Sequence, residues 1–300
     1  MSSQSRLNRA FDTAKRITFN DDSKLILFSD CHRGDNSFAD DFARNKNIYF
    51  HALQYYYKEG YTYFELGDGD ELWENLSFKD IFLPHRNVYE LFAKFHSQNR
   101  LELLWGNHDM VYRDENYVKK HLWTFFDRKT NSEKPLLPGI KFSEAIVLQH
   151  EETQQEIFLA HGHQADFTNY VLWRFNRFMV RVLWRPLQVI GIYDPTSPAK
   201  NYSETIKVER RIKKWINRFG KGMTIVGHTH RPRFPEKGQI PFFNTGSCVH
   251  PRAVTGLEIT NGEIALIKWQ IATTEDGFLR IIRVVLEGPQ KLTDFDFKEF

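Results

Sequence analysis

The chain has 300 residues, of which 41% are hydrophobic, 15% aromatic and 26% charged, with a formal net charge of +3. That composition suits a globular core rather than disorder, and the mild positive excess falls short of the strongly basic chains that bind nucleic acid. Two cysteines, Cys31 and Cys248, do not make a disulfide framework; the start has no signal-peptide-type segment and no apolar run of about 18 residues occurs, so a soluble cytoplasmic protein is expected.

In chain order, residues 24–29 (KLILFS) read as a buried strand that stops at Asp30-Cys31-His32. Residues 38–59 carry aromatics and Leu at helical spacing and end at Gly60. A second strand, 61–68, ends in Gly-Asp. A helix over 85–99 follows, then a third strand, 101–109, ending in Gly-Asn-His-Asp. This strand–helix alternation predicts a parallel sheet. Residues 144–151 and 156–163 read as a hairpin around ETQQ, and 222–230 as a strand ending in GHTH. The C-terminal part is β-rich, with TNGE as a tight turn because Asn-Gly accepts positive φ. Residues 1–300 read as a single domain carrying a helical, basic and aromatic insert over 164–221, without internal repeats or low-complexity linkers.

Five apolar strands thus end in short polar signatures: Asp30-x-His32, Gly67-Asp68, Gly106-Asn107-His108-Asp109, His161-Gly162-His163 and Gly227-His228-Thr229-His230. On a strand, residues i and i+2 face one side, which would aim Asp30 and His32 at one spot. Sites in α/β sheets form beyond the carboxyl ends of strands, and Asp, Asn and His there suit Mn, Fe, Co or Zn. Glycine beside most of them permits sharp turns and close approach. Each signature alone has an ordinary reading as a turn or a strand-end cap. Their ordered recurrence at successive strand ends points to a site.

The series resembles the calcineurin-like metallophosphoesterase superfamily, whose pattern is D-x-H, GD-x-x-D/E, GNH-D/E, H and GH-x-H. The five blocks span residues 30–230, with GDGDE supplying the second and Glu71 its acidic end. The resemblance implies a four-layer α/β/β/α sandwich and two divalent cations, Mn first, with Fe, Zn or Co as alternatives. It assigns Asp30, His32 and His230 to one metal and Asn107, His161 and His228 to the other, with Asp68 bridging. His108 would be the catalytic imidazole and Asp109 the residue that orients it. Cys31, between two ligands, is expected to pack as a small apolar residue. Arg33 stays open between a phosphate contact and a surface ion pair, and His163 is expected to hydrogen-bond rather than to coordinate.

LGDGDELW (66–73) is similar to the LGDxxExW stretch of UDP-2,3-diacylglucosamine pyrophosphatases, as are HGH followed by a long helical insert and then GHTHRP. That branch often has Arg after the GN pair and HGD rather than HGH, where this chain has His108 and His163. From Phe167 to Tyr193 there is no acidic residue, and Arg174, Arg177, Arg181 and Arg185 recur along one helical stripe with Trp173, Phe178, Met179, Leu183 and Trp184. Such a segment suits a lid over an anionic amphiphile, with Arg177 and Arg181 touching substrate, or contact with an anionic membrane at its inner face. The basic helix 207–218 reads as a solvated face.

The expected function is therefore a two-metal phosphoesterase acting on a phosphate ester or pyrophosphate, including that of a lipid-linked nucleotide. The alternatives are a general phosphomonoesterase or cyclic-nucleotide phosphodiesterase, then a nuclease, then a non-catalytic scaffold. Balanced charge and the absence of a base-stacking motif argue against nucleic acid as partner.

Overall fold

The apolar run ending at Phe28 becomes the central strand of a seven-stranded sheet. In a computed structural model describing residues 2–184, 202–220 and 222–296, the first half of the chain runs α1 (Ser3–Asp12), β1 (Lys15–Phe19), β2 (Leu25–Phe28), α2 (Lys46–Lys58), β3 (Thr62–Leu66), α3 (Phe78–Phe82), α4 (Arg86–Ser97), β4 (Leu101–Leu104), α5 (Glu115–Leu122), β5 (Thr124–Asp127), β6 (Ser132–Pro135) and β7 (Phe142–Ser143). The second half runs β8 (Ala145–His150), β9 (Glu156–Ala160), α6 (Phe167–Val171), α7 (Trp173–Met179), a π-helical turn (Val180–Trp184), α8 (Tyr202–Phe219), β10 (Met223–Val226), β11 (Phe242–Asn244), β12 (Ala253–Thr260), β13 (Glu263–Thr273) and β14 (Leu279–Lys291).

Two sheets carry the fold. One has the order β14-β13-β12-β2-β3-β4-β7, the other β1-β8-β9-β10-β11. β2, β3 and β4 pair in parallel, as their alternation with helices predicts. β8 and β9 form the expected antiparallel hairpin, and β10 lies parallel to β9.

Strand alternation decides which residues fill which layer. Leu25, Leu27, Phe64, Leu66 and Leu104 from the larger sheet meet Ile146, Leu148, Ile157, Leu159 and Ile225 from the smaller one, giving a core between the sheets. The opposite faces carry Ile26, Phe28, Tyr63 and Leu103, covered by α2 and α4, and Val147, Phe158 and Val226, covered by α1 and α8. The layers are therefore α/β/β/α.

α8 corrects the sequence reading of 207–218. Val208, Ile212, Trp215 and Ile216 form a buried stripe at helical spacing, so this helix is an outer layer of the sandwich and only its other face is solvated. Within 164–221, residues 167–184 form α6, α7 and the π-helical turn, while α8 packs into the main body. Among the described residues no helix is long and apolar enough to cross a membrane.

Candidate metal centre

Every polar signature follows the carboxyl end of a strand, and both sheets turn those ends to one rim. Asp30 and His32 follow β2, Asp68 follows β3, Asn107 and His108 follow β4, His161 follows β9, and His228 and His230 follow β10. Strand alternation is not what makes Asp30 and His32 converge, because β2 has ended at Phe28. Both lie in left-handed backbone (φ 53° and 47°), as do Asp68 (51°), His228 (67°) and His230 (54°). Such conformations cost about 1–3 kcal/mol each for non-glycine residues and gather where the surroundings enforce them. The enforcement is visible. Asp30 N donates to Gly67 O (3.1 Å), His32 N to Asp68 O (2.9 Å) and Gly227 N to His161 O (2.9 Å). Gly106 permits a close approach, since a Cβ there would overlap the Asp68 carboxylate.

Three groups of ligand-type atoms result, one of them His32, Glu71 and His108 at the mouth; the other two lie deeper. Asp30, His32 and His230 form one; Asp68, His161 and His228 form the other. His230 Nε2 lies 3.1 Å from Asp30 Oδ1 and 3.2 Å from His32 Nε2. His161 Nε2 lies 3.1 Å from Asp68 Oδ2 and 3.2 Å from Asn107 Oδ1. His32 Nε2 is 3.8 Å from the same Asp68 oxygen, which therefore stands between the groups.

Hydrogen bonding and charge in this donor set both suit divalent cations. Asp30 Oδ1 is buried yet accepts no hydrogen bond, although Oδ2 accepts from His228 N (2.9 Å) and from Ser29 Oγ. His161 Nδ1 donates to Leu66 O (2.8 Å), which turns Nε2 toward Asp68 and Asn107. Burial alone would raise the Asp30 carboxyl, but His230 and His161 hold it down at about 2. Burial likewise works against charged imidazoles, yet Glu71, Asp68 and Asp30 push His32 up to about 10, and Asp68 and Asp30 push His161 up to about 9. Burial instead lowers the pKa of His230, so the carboxylates' pull is felt at His32 and His161; the Asp, Asn and His donors fit a dinuclear divalent centre.

His108 sits at the mouth, with 22% of its side chain exposed. Its Nδ1 is 2.8 Å from Glu71 Oε1, and Glu71 Oε2 is 2.8 Å from His32 Nδ1. One carboxylate thus holds two imidazoles. The Trp73 indole lies flat on the His108 ring, with centroids 4.1 Å apart and planes at 19°. The expected role of Asp109 is corrected here. Its carboxylate accepts from Gly106 N (2.6 Å), Gly69 N (2.8 Å) and Asp70 N (3.4 Å), so it staples two loops together, and the acid against the His108 ring is Glu71. Burial, then Asp68, raises the Asp109 pKa to about 7. Asp166, five residues after His161, was missed in the sequence: its Oδ2 lies 3.4 Å from His228 Nε2, and Oδ1 caps α6.

Arg33 is also corrected. The loop after β2 bridges in parallel to Asp70 and turns the side chain inward. The residue is 1% exposed, and its guanidinium donates to Glu65 Oε2 (2.6 Å), Glu65 Oε1 (2.7 Å) and Asp70 Oδ1 (2.8 Å), forming a buried ion triad rather than a phosphate contact. Cys31 is fully buried in the core, as its position between ligands suggested. His163 does not hydrogen-bond as expected; both ring nitrogens are buried without partners, and the ring stacks on Tyr170 at 5.5 Å. In the insert, Arg181 donates to backbone carbonyls of residues 72–75. Arg177 is half-buried, its pKa lowered by burial and then by Arg181. Arg185 and the side chains of Leu183 and Trp184 lie outside the described residues.

The family model of the calcineurin-like phosphoesterases matches residues 23–232. No curated protein sequence matches the chain. Among solved structures, the chain is similar to a predicted phosphoesterase from Streptococcus pneumoniae (14% identity, 88% of this chain, 97% of that chain, TM-score 0.36), to vacuolar protein sorting 29 from Cryptosporidium parvum (13%, 89%, 98%, 0.37) and to a cold-active protein-tyrosine phosphatase of a psychrophilic Shewanella (13%, 91%, 83%, 0.41).

Proposed function

The chain belongs to the calcineurin-like phosphoesterase family, and on that premise we propose that it hydrolyses a phosphate ester or pyrophosphate with two divalent cations, manganese first among them. Asp30, His32 and His230 would hold one cation and Asn107, His161 and His228 the other, with Asp68 shared between them. The observation that carries this reading is the pair of ligand groups meeting at Asp68, with a buried Asp30 oxygen that accepts no hydrogen bond. When bound, two such cations supply Lewis acidity toward a phosphoryl group and make water acidic enough to react near neutral pH.

The protein's own groups handle the leaving oxygen. Glu71 fixes the His108 ring through Nδ1, which leaves Nε2 as the nitrogen that gives a proton to the departing oxygen. Glu71 stays ionised while it does so: burial raises its pKa, but His108 and His32 outweigh that and hold it far below the ordinary carboxylate range. Trp73 covers one face of the imidazole and limits its rotation.

For the substrate, we favour an anionic amphiphile such as a lipid-linked nucleotide pyrophosphate. Support comes from the LGDGDELW resemblance and from the insert, whose Phe167, Val171, Phe175, Phe178 and Val182 are at least half exposed. Residues 167–184 carry no acid to repel a phosphate. The test is turnover by metal-loaded protein of a phosphomonoester, a phosphodiester, a nucleotide-sugar pyrophosphate and its acylated form. Preference for the acylated pyrophosphate supports this substrate; equal or better turnover of the soluble monoester makes the chain a general phosphatase.

A further inference from the structure

The insert touches the catalytic machinery through its backbone supports. Arg181, in the π-helical turn after α7, donates from Nε to Trp73 O (3.1 Å) and from Nη2 to Leu72 O (3.0 Å) and Asn75 O (3.0 Å). These carbonyls belong to the turn that follows Glu71. Asn75 closes that turn on its other side, donating from its backbone N (3.1 Å) and its Nδ2 (2.8 Å) to Glu71 O. The same turn carries Trp73, the indole lying flat on His108. A second grip comes from α7, where the Trp173 ring lies 5.7 Å from the Arg113 guanidinium in the 3-10 turn after Asp109. The insert therefore holds both loops that frame His108.

We propose that Arg181 is a positioning residue: its guanidinium clamps the Leu72–Asn75 turn, and through Glu71 and Trp73 it fixes the His108 imidazole. This rests on the reading of His108 as the proton donor of a phosphoesterase. It replaces the expectation that Arg181 reads a substrate anion. A planar, charged fork suits several carbonyls on one turn, and a lysine ammonium reproduces the charge without that geometry. Misplacing a catalytic group by about 1 Å can cost on the order of a hundredfold in rate, so three carbonyl contacts far from the reacting atoms can control turnover.

The test is a double-mutant cycle of Arg181→Met and His108→Asn, read with phenyl phosphate, a small substrate whose departing oxygen needs a proton. At saturating metal, Arg181→Met should lower kcat by roughly ten- to a hundredfold, leave KM unchanged, and have no further effect once His108 is Asn. Arg181→Lys should fall between wild type and Arg181→Met. Amide hydrogen exchange across residues 71–77 should quicken in Arg181→Met, with or without metal. Multiplicative losses in the double mutant, a change in KM alone, or unaltered exchange at 71–77 would overturn the proposal. Inactive wild-type protein would instead refute the phosphoesterase reading, and the exchange experiment would still decide the clamp. If Arg181→Met fails to fold, Arg181→Lys carries both readouts.

Discussion

The sharpest consequence of the geometry concerns which acid serves His108. Glu71→Gln keeps the side-chain shape and removes the charge. The carboxylate receives two imidazoles at 2.8 Å, and an amide has one oxygen to offer them, so one contact must fail or reverse. A hydrogen bond to a charged group is worth about 1.5–3 kcal/mol, which at 1.36 kcal/mol per decade is a loss of about 10- to 150-fold in kcat. His32 is the other partner, so metal affinity should weaken as well, and rates must be compared at saturating metal. Asp109→Asn is the control. Its carboxylate accepts three backbone N–H groups, and an amide turned against one of them costs about 1–3 kcal/mol of stability. The assay is steady-state hydrolysis of phenyl phosphate, whose departing oxygen needs a proton, beside thermal melts of both variants. If Asp109→Asn loses turnover at wild-type stability while Glu71→Gln is neutral, the assignment of the orienting acid is wrong.

His108→Asn should keep its metals and lose about 10²–10⁴ in turnover, with a smaller loss for good leaving groups; metal analysis and a leaving-group series check it. Arg33→Met should destabilise the fold by about 3–5 kcal/mol, because Glu65 and Asp70 lose their buried cation, and denaturant titration reads this directly. Trp215→Ala, in the outer layer between α1 and the smaller sheet, should cost about 3–5 kcal/mol of stability while kcat of the folded fraction is unchanged.

The rim of the site was legible in the sequence because each ligand-type residue directly follows an apolar strand, and the order of strands in the chain preserves the order of blocks. Local pattern could not show how side chains leave those strand ends. Asp30 and His32 converge through left-handed backbone rather than pleat alternation, and the same turn buries Arg33, which adjacency to His32 had suggested as a phosphate contact. Asp109 and Glu71 are both acids near His108 in sequence or motif. Only the path of the loops decides that Asp109 faces backbone N–H groups and Glu71 faces the ring. In α8 the basic residues masked a four-residue apolar stripe that belongs to the core. The pairing of Arg181 with three carbonyls has no sequence signal, because its partners are backbone atoms about a hundred positions earlier.

The central claim is that Asp68 joins two cation sites on one rim. Calorimetric titration of chelator-stripped protein with Mn²⁺, followed by the same titration of Asp68→Ala, tests it most directly. The account predicts two ions per wild-type chain, weakened binding at both sites in the variant, and recovery of hydrolysis that follows site filling in wild type alone. Thermal stability should rise with occupancy. Wild-type protein that binds no more than one ion, or Asp68→Ala that binds two with undiminished affinity and full activity, would contradict it.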